Sequence, residues 1–177
     1  MGFVYAGRYS AQVEGAFVIF IIGMRINKLW AAHKWLPVVR AMGPMIQQLQ
    51  SHRELGLLHV QPYLYWRGAA FVQYWRSFEH LERFARDPAM THLTAWKQFN
   101  RTVGADGSVG IWHETYLVSE GQHESIYVNM PKYGLSIAGS HHPAAGARET
   151  AKRRLGLQGE PAVSSYKTPS VSDRGDP

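Results

Sequence analysis

The uninterrupted apolar run GAFVIFIIGM, residues 15–24, most constrains how this chain can fold. A membrane-spanning helix needs roughly 20 such residues, about twice the length found here. Ile, Val and Phe dominate the run, and these residues favour strands. Because neighbouring side chains of a strand point to opposite faces, both faces of this strand are apolar and both need a cover. The run therefore predicts a buried strand, not a membrane anchor or a signal peptide.

The rest of the chain alternates between strand and helix patterns. Residues 7–26 predict two strands with a turn at Glu14-Gly15, and apolar positions at helical spacing from Trp35 to Leu49 predict a helix that kinks or restarts at Gly43-Pro44. The predicted elements after it are a hairpin over residues 57–76, helices opened by Ser77 and by Asp87-Pro88, and the strand GIWHETYLV, residues 110–118.

Without the first short strand, this order is βαββαβ, the ferredoxin-like split unit of the α+β class. Its helices cover one face of an antiparallel sheet. A second copy of the sheet is the simplest cover for the other face, so we expect a homodimer that forms a dimeric α+β barrel. The predicted domains are a barrel domain over residues 1–120, a packed extension over 121–158 and a disordered tail over 159–177.

Composition excludes several classes of function. The sequence has no cysteine, which removes disulfides, iron–sulfur clusters and thiol catalysis and suits a cytoplasmic protein. Of the net charge of +6, half comes from the seven basic and four acidic residues that follow residue 131. Because the remaining chain is nearly balanced in charge, we expect neither nucleic acid nor a membrane as a partner.

The strand that contains WHE raises the question of catalysis. Alternation places His113 and Glu114 on opposite faces, so they cannot act on one substrate atom, and no second His stands at the spacing of a zinc protease. His113 is either a hydrogen-bonded core residue or a general base. Glu114 is either the partner of Arg76 in a structural ion pair or, like Arg76, a catalytic residue.

Two other histidines are candidates for catalysis. His92 forms a helical stripe with Trp96 and Phe99, which is either core or the setting of an axial haem ligand. His33 lies between Trp30 and Trp35, either in a solvated turn or at the mouth of a cavity.

Six tryptophans are more than a core of this size needs, and they predict a roomy pocket for a flat apolar ligand. The candidate substrate-binding residues are Trp35, Trp66, Tyr74, Trp75, Trp96, Phe99 and Trp112.

Four segments occur in an order that resembles a family of small bacterial and fungal monooxygenase-like proteins, which includes a fumagillin-pathway monooxygenase. They are RINKLWAAHKWLPV, VQYWRSFEHLERFARDP, HLTAWKQFNR and VGIWHETYLV. The family is related to the antibiotic-biosynthesis monooxygenases and their dimeric α+β barrel.

The resemblance implies an oxygenase that oxidises an apolar aromatic or polyene substrate with O₂ and without a metal or other cofactor. In this hypothesis His113, His33 or His92 removes a proton, and Arg76 or a Trp N–H stabilises the resulting oxyanion. Related haem-degrading enzymes imply an alternative, a haem b protein with His92 as proximal ligand. A non-catalytic ligand-binding dimer is the third hypothesis.

Overall fold

The computed structural model describes residues 2–51, 53–87, 97 and 99–157. The described residues divide into two compact units, one within residues 16–118 and one that joins residues 2–15 to residues 119–157. The domain boundaries expected at residues 120 and 158 stay predictions.

The first secondary-structure element, β1 (Tyr5–Gln12), belongs to the second of these units. The other unit, here called the sheet unit, contains β2 (Phe17–Ile26), α1 (Ala32–Ser51), β3 (Leu57–Tyr65), β4 (Gly68–Trp75), α2 (Phe78–Arg86) and β5 (Val109–Val118). A short 3-10 turn, Arg53–Leu55, follows α1, and residues 99–102 are helical.

The four strands of the sheet unit pair antiparallel in the order β3-β4-β2-β5. With one helix after β2 and helical residues between β4 and β5, this is the ferredoxin-like arrangement. The predicted α+β class and ferredoxin-like unit are therefore confirmed, while the described residues form two open sheets and no closed barrel.

Local signals explain where several elements begin and end. Ser77 caps α2, accepting a hydrogen bond from the backbone N–H of His80, as the sequence predicts. The predicted hairpin is also present, with β3 and β4 joined at Trp66 and Arg67. Helix α1 does not restart at Gly43-Pro44, because it runs without a break through Pro37 and Pro44, while the alternative of a kink there stays a prediction. A proline has a helical φ and removes only one N–H donor, so neighbouring packing can hold such a helix together. Among the described helices, none is long and apolar enough to cross a membrane.

Two core clusters lie on one face of the sheet. Val18 and Trp75 pack there against Leu49 of α1 and against Leu81 and Phe84 of α2. A second cluster joins Met24, Val103 and Val109, with Trp35, Val38, Met42 and Phe99 at its edge. The cavity described below lies on this face, which we call the inner face.

The opposite face of the sheet, here called the outer face, is rich in aromatic rings. The indole of Trp112 lies against Gly23, where a Cβ atom would approach the ring to 2.7 Å. Its Nε1–H donates to the hydroxyl of Tyr65 at 3.2 Å, and that hydroxyl donates to the carbonyl of Met24 at 2.6 Å. The glycine therefore allows two aromatic side chains to lie across the strands.

The predicted hairpin at Glu14-Gly15 is wrong. Strand β1 pairs with β6 (Tyr127–Met130) and β7 (Ser140–Pro143) in a separate three-stranded sheet. Both edges of β2 are already occupied, by β4 and β5, so no edge is left for β1. The same unit contains two short helices, α3 (Leu135–Ala138) and α4 (Ala151–Arg154).

We expect Gly68→Ala to destabilise the protein. A Cβ atom at residue 68 would lie 2.3 Å from the backbone oxygen of Met24, and backbone cannot move aside cheaply. Such overpacking costs about 1–3 kcal/mol, or a melting temperature lower by several degrees. Gly110→Ala is the matched control, because Gly110 also lies opposite Arg25 but a Cβ there makes only an ordinary 3.6 Å contact. Equal melting temperatures for the two variants would contradict this account.

Candidate functional site

A cavity of about 660 Å³ lies on the inner face of the sheet, beneath α1 and α2. Its wall is almost wholly aliphatic, methionine and phenylalanine. The lining residues are Phe20, Ile22, Gly23, Met24, Pro37, Val38, Ala41, Met42, Ile46, Leu49, Phe71, Gln73, Leu81, Phe84, Ala85, Phe99, Thr102, Ile111 and His113. A cavity of this size and chemistry suits a small apolar molecule.

Only three side chains in the described lining are polar: Gln73, Thr102 and His113. None of the described lining residues is Lys, Arg, Asp or Glu. A charged ligand would lose its hydration without gaining a partner of opposite charge, which is costly. The cavity therefore favours a neutral ligand.

His113 is the one ionisable side chain of this lining. It lies on β5 opposite Ile22 of β2, and its ring centroid is 5.6 Å from that of Phe20. No described residue forms a hydrogen bond with its imidazole, and the side chain is exposed. The ring is thus available to a ligand in the cavity and to solvent, as a general base must be.

Glu114 faces away from the cavity, as the predicted alternation requires, but its predicted ion pair with Arg76 does not form. Glu114 lies opposite Ile21, which lies opposite Val72. Arg76 is four residues farther along the chain, or roughly 13 Å at the rise of a strand. Glu114 instead accepts a hydrogen bond of 2.5 Å from the hydroxyl of Tyr116, two residues away on the outer face.

The other two candidate histidines are not found in the described cavity wall. His33 is exposed in the first turn of α1, and His92 lies outside the described residues. Beside His33, Lys34 forms an ion pair with Asp106. The hydrogen bond from Lys34 is the largest cause of a strongly lowered pKa for the Asp106 carboxyl, followed by hydrogen bonds from Ser108.

The predicted aromatic ligand site is only partly present. Phe99 lines the cavity, while Trp35 and Trp75 lie in the adjacent core clusters and Trp96 is outside the described residues. The remaining candidates lie elsewhere: Trp66 is exposed at the hairpin, and Tyr74 and Trp112 are on the outer face. Strand alternation explains the last two, because each neighbours a residue that points inward.

Sequence reasoning missed Gln73. This side chain is only 5% exposed, and it lies between Phe71 and Trp75 on the inward-facing positions of β4. A single polar residue among inward apolar ones is the signal that could have identified it. The described residues contain no group of three or more His, Cys, Asp or Glu that could hold a metal ion.

Comparison with known proteins confirms the family resemblance expected from the sequence. A family model described as Monooxygenase af470-like matches residues 17–135. The Aspergillus fumigatus protein named Monooxygenase af470 is 30% identical over 152 residues, which cover 73% of this chain and 53% of that protein. The chain thus spans about half the length of the curated relative it matches.

Solved structures offer only distant likenesses. A dimeric protein of ferredoxin-like fold from Bacteroides fragilis is 14% identical, with a TM-score of 0.41, and covers 56% of this chain and 96% of its own. A dimeric ferredoxin-like protein from Jannaschia is 16% identical, with a TM-score of 0.39, over 55% and 97% of the two chains. The fold assignment rests on the strand order itself.

We expect Glu114→Gln to lower the pKa of Tyr116 toward its ordinary value. The hydrogen bond to the Glu114 carboxylate, and then its negative charge, raise the pKa of the Tyr116 phenol, and glutamine removes the charge. Titration of tyrosine ring carbons by NMR measures this shift, with Tyr116→Phe to assign the signal. The melting temperature should change by less than about 2 °C, because no buried cation depends on Glu114. A large loss of stability would instead indicate a buried partner.

Proposed function

We propose that this chain, which belongs to the Monooxygenase af470-like family, oxidises a neutral apolar aromatic or polyene substrate with O₂ inside the inner-face cavity. The observation that carries the proposal is an apolar space of about 660 Å³ whose described lining has one ionisable group, His113. A substrate with an acidic C–H or O–H next to this imidazole would meet one base in otherwise apolar surroundings.

The proposed reaction begins when a nitrogen of His113 takes a proton from the substrate. The resulting carbanion or phenolate is electron-rich enough to react with O₂. When a methylene becomes a carbonyl, one oxygen atom enters the product and the other leaves as water with the two hydrogens. The methylene carbon supplies all four electrons, so the reaction needs no other reductant and no cofactor. Positioned general bases of this kind contribute roughly 10²–10⁴-fold to the rate.

Two sequence-based candidates for the oxyanion contact are poorly placed for this role. Arg76 lies beyond the strand end and is not part of the lining, and the indoles of Trp35 and Trp75 lie in core clusters. The proposed substrate remains uncharged until His113 accepts its proton, which agrees with the absence of ionised groups elsewhere in the described lining.

Anthrone, an aromatic ketone with an acidic methylene, is a suitable probe. We expect the purified protein to consume O₂ with anthrone, to form anthraquinone and to place one atom of ¹⁸O₂ in it. His113→Ala should lower this rate by roughly 10²–10⁴-fold. Thr115→Ala is the control, because Thr115 shares the inward side of β5 but is not part of the lining, and its rate should match the wild type.

Three outcomes would contradict this function. An equal rate for His113→Ala would remove His113 as the base. Tight binding of anthrone without any turnover would favour a ligand-binding protein. An absorption band at roughly 400 nm in the purified protein would favour a haem protein, in which His92 is the candidate ligand.

We also propose that the protein is a homodimer joined through the outer face. Four aromatic side chains of that face, Tyr63, Tyr65, Trp112 and Tyr116, are 37–49% exposed. Aromatic residues are enriched at the centres of protein interfaces, and a two-fold axis brings the same patch of each copy together.

The expected mass by light scattering at micromolar concentration is therefore that of two chains. Tyr116→Glu should give a folded monomer, because each copy would bring a second carboxylate beside Glu114 to the interface. Trp66→Glu is the control, since Trp66 is 81% exposed at the hairpin rather than on the outer face. A wild-type monomer, or a dimer that survives Tyr116→Glu, would exclude this interface.

A further inference from the structure

We infer that Gln73 selects a substrate by donating a hydrogen bond to one oxygen atom, a ketone oxygen that becomes negatively charged during the reaction. The inference rests on the proposed function, because the negative charge on the oxygen arises when His113 removes a proton from the substrate. Its basis is the geometry of Gln73 and Trp75 on the inner face of β4.

The orientation of the Gln73 amide is fixed by its neighbour. The indole Nε1 of Trp75 lies 2.9 Å from Oε1 of Gln73. An indole N–H is a donor only, so it requires the oxygen of the amide and not the nitrogen. Trp75 is fully buried, and rotation of the amide would leave its N–H without an acceptor. The amide therefore keeps its oxygen toward Trp75.

The same contact leaves the amide nitrogen of Gln73 for a ligand. No described residue accepts a hydrogen bond from Nε2, although the side chain is 95% buried and belongs to the cavity lining. Covering an N–H donor without giving it an acceptor is costly, and the surrounding wall offers only phenylalanine, methionine and aliphatic carbon. A ligand oxygen at this point would satisfy the donor, whereas a hydrocarbon of the same shape would bury it without a partner. The cavity should therefore discriminate between the two.

Gln73 and His113 lie on β4 and β5, the two strands that flank β2. Gln73 is opposite Phe20 on one edge of β2, and His113 is opposite Ile22 on the other. The strand spacing and rise place their Cα atoms roughly 12 Å apart. Their side chains can thus address two ends of one flat conjugated molecule lying across β2. The substrate class that fits is a neutral polycyclic ketone with an acidic C–H on a carbon that is conjugated to the carbonyl oxygen and lies on the far side of the ring system from it.

The test compares two probes that differ by one oxygen atom, anthrone and 9,10-dihydroanthracene. We expect the wild-type protein to bind anthrone about tenfold more tightly, as one neutral hydrogen bond predicts. Gln73→Met should abolish this preference, because anthrone loses its hydrogen bond and dihydroanthracene no longer covers an N–H donor that has no acceptor. Binding of dihydroanthracene at least as tight as in the wild type also shows that the cavity is intact. It should lower kcat for anthrone by roughly 10²–10³-fold, as removal of one oxyanion donor does. Gln61→Met, the same change on the outer face, should behave as the wild type.

A second variant separates the donor from the contact with Trp75. Gln73→Glu keeps an oxygen acceptor for the indole but replaces the NH₂ group with oxygen. Its preference for anthrone should be lost at high pH and should return when the carboxyl is protonated and can donate. A structural role of Gln73 alone would not produce this pH dependence.

The outcomes separate this inference from the proposed function. If anthrone is preferred through Gln73 but never oxidised, the inference stands and the proposed function fails. If anthrone is oxidised with the same preference and rate in Gln73→Met, the function stands and the inference is overturned. An equal loss of preference in Gln61→Met would also overturn it.

Discussion

The burial of β2 requires an apolar layer on each side of the four-stranded sheet. This strand pairs with β4 over residues 18–25 on one edge and with β5 over residues 17–26 on the other, so its side chains can point only toward the two faces of the sheet. On the inner face they meet the two helices and leave a cavity; on the outer face they lie among aromatic rings. The position of the candidate site thus follows from a single strand with two apolar faces.

The core and the cavity are linked by one polar contact. Trp75 is buried completely, and a buried indole N–H needs an acceptor. Gln73, two residues away on the same face, supplies it. Because the amide oxygen of Gln73 accepts this hydrogen bond, its NH₂ group is left at the cavity wall. One side chain thus both supports the packing of Trp75 and offers a donor to a ligand. A substitution of Trp75 would therefore change ligand recognition as well as the stability of the core.

The sequence predicted correctly those features that depend on residues close together along the chain. The cap at Ser77, the hairpin between β3 and β4, the βαββαβ order and the opposite faces of His113 and Glu114 all follow from spacing along the chain. Long-range pairing did not follow: β1 joins strands more than 110 residues away, and Arg76 does not reach Glu114. The burial of Gln73 at the cavity wall was also not predicted, because the tryptophan content indicated an aromatic lining, whereas most of the described indoles lie in the core or on the outer face.

The division of the chain has a consequence for its synthesis. Strand β1 leaves the ribosome well before its partners β6 and β7, which begin at residues 127 and 140. Meanwhile Phe17 and Val118, register partners in one ladder, close the sheet unit before those partners exist. The sheet unit is thus an insertion whose ends meet, and it can fold first. Until the later strands emerge, β1 has free edges on both sides, so it is the segment that a chaperone or another nascent chain would meet.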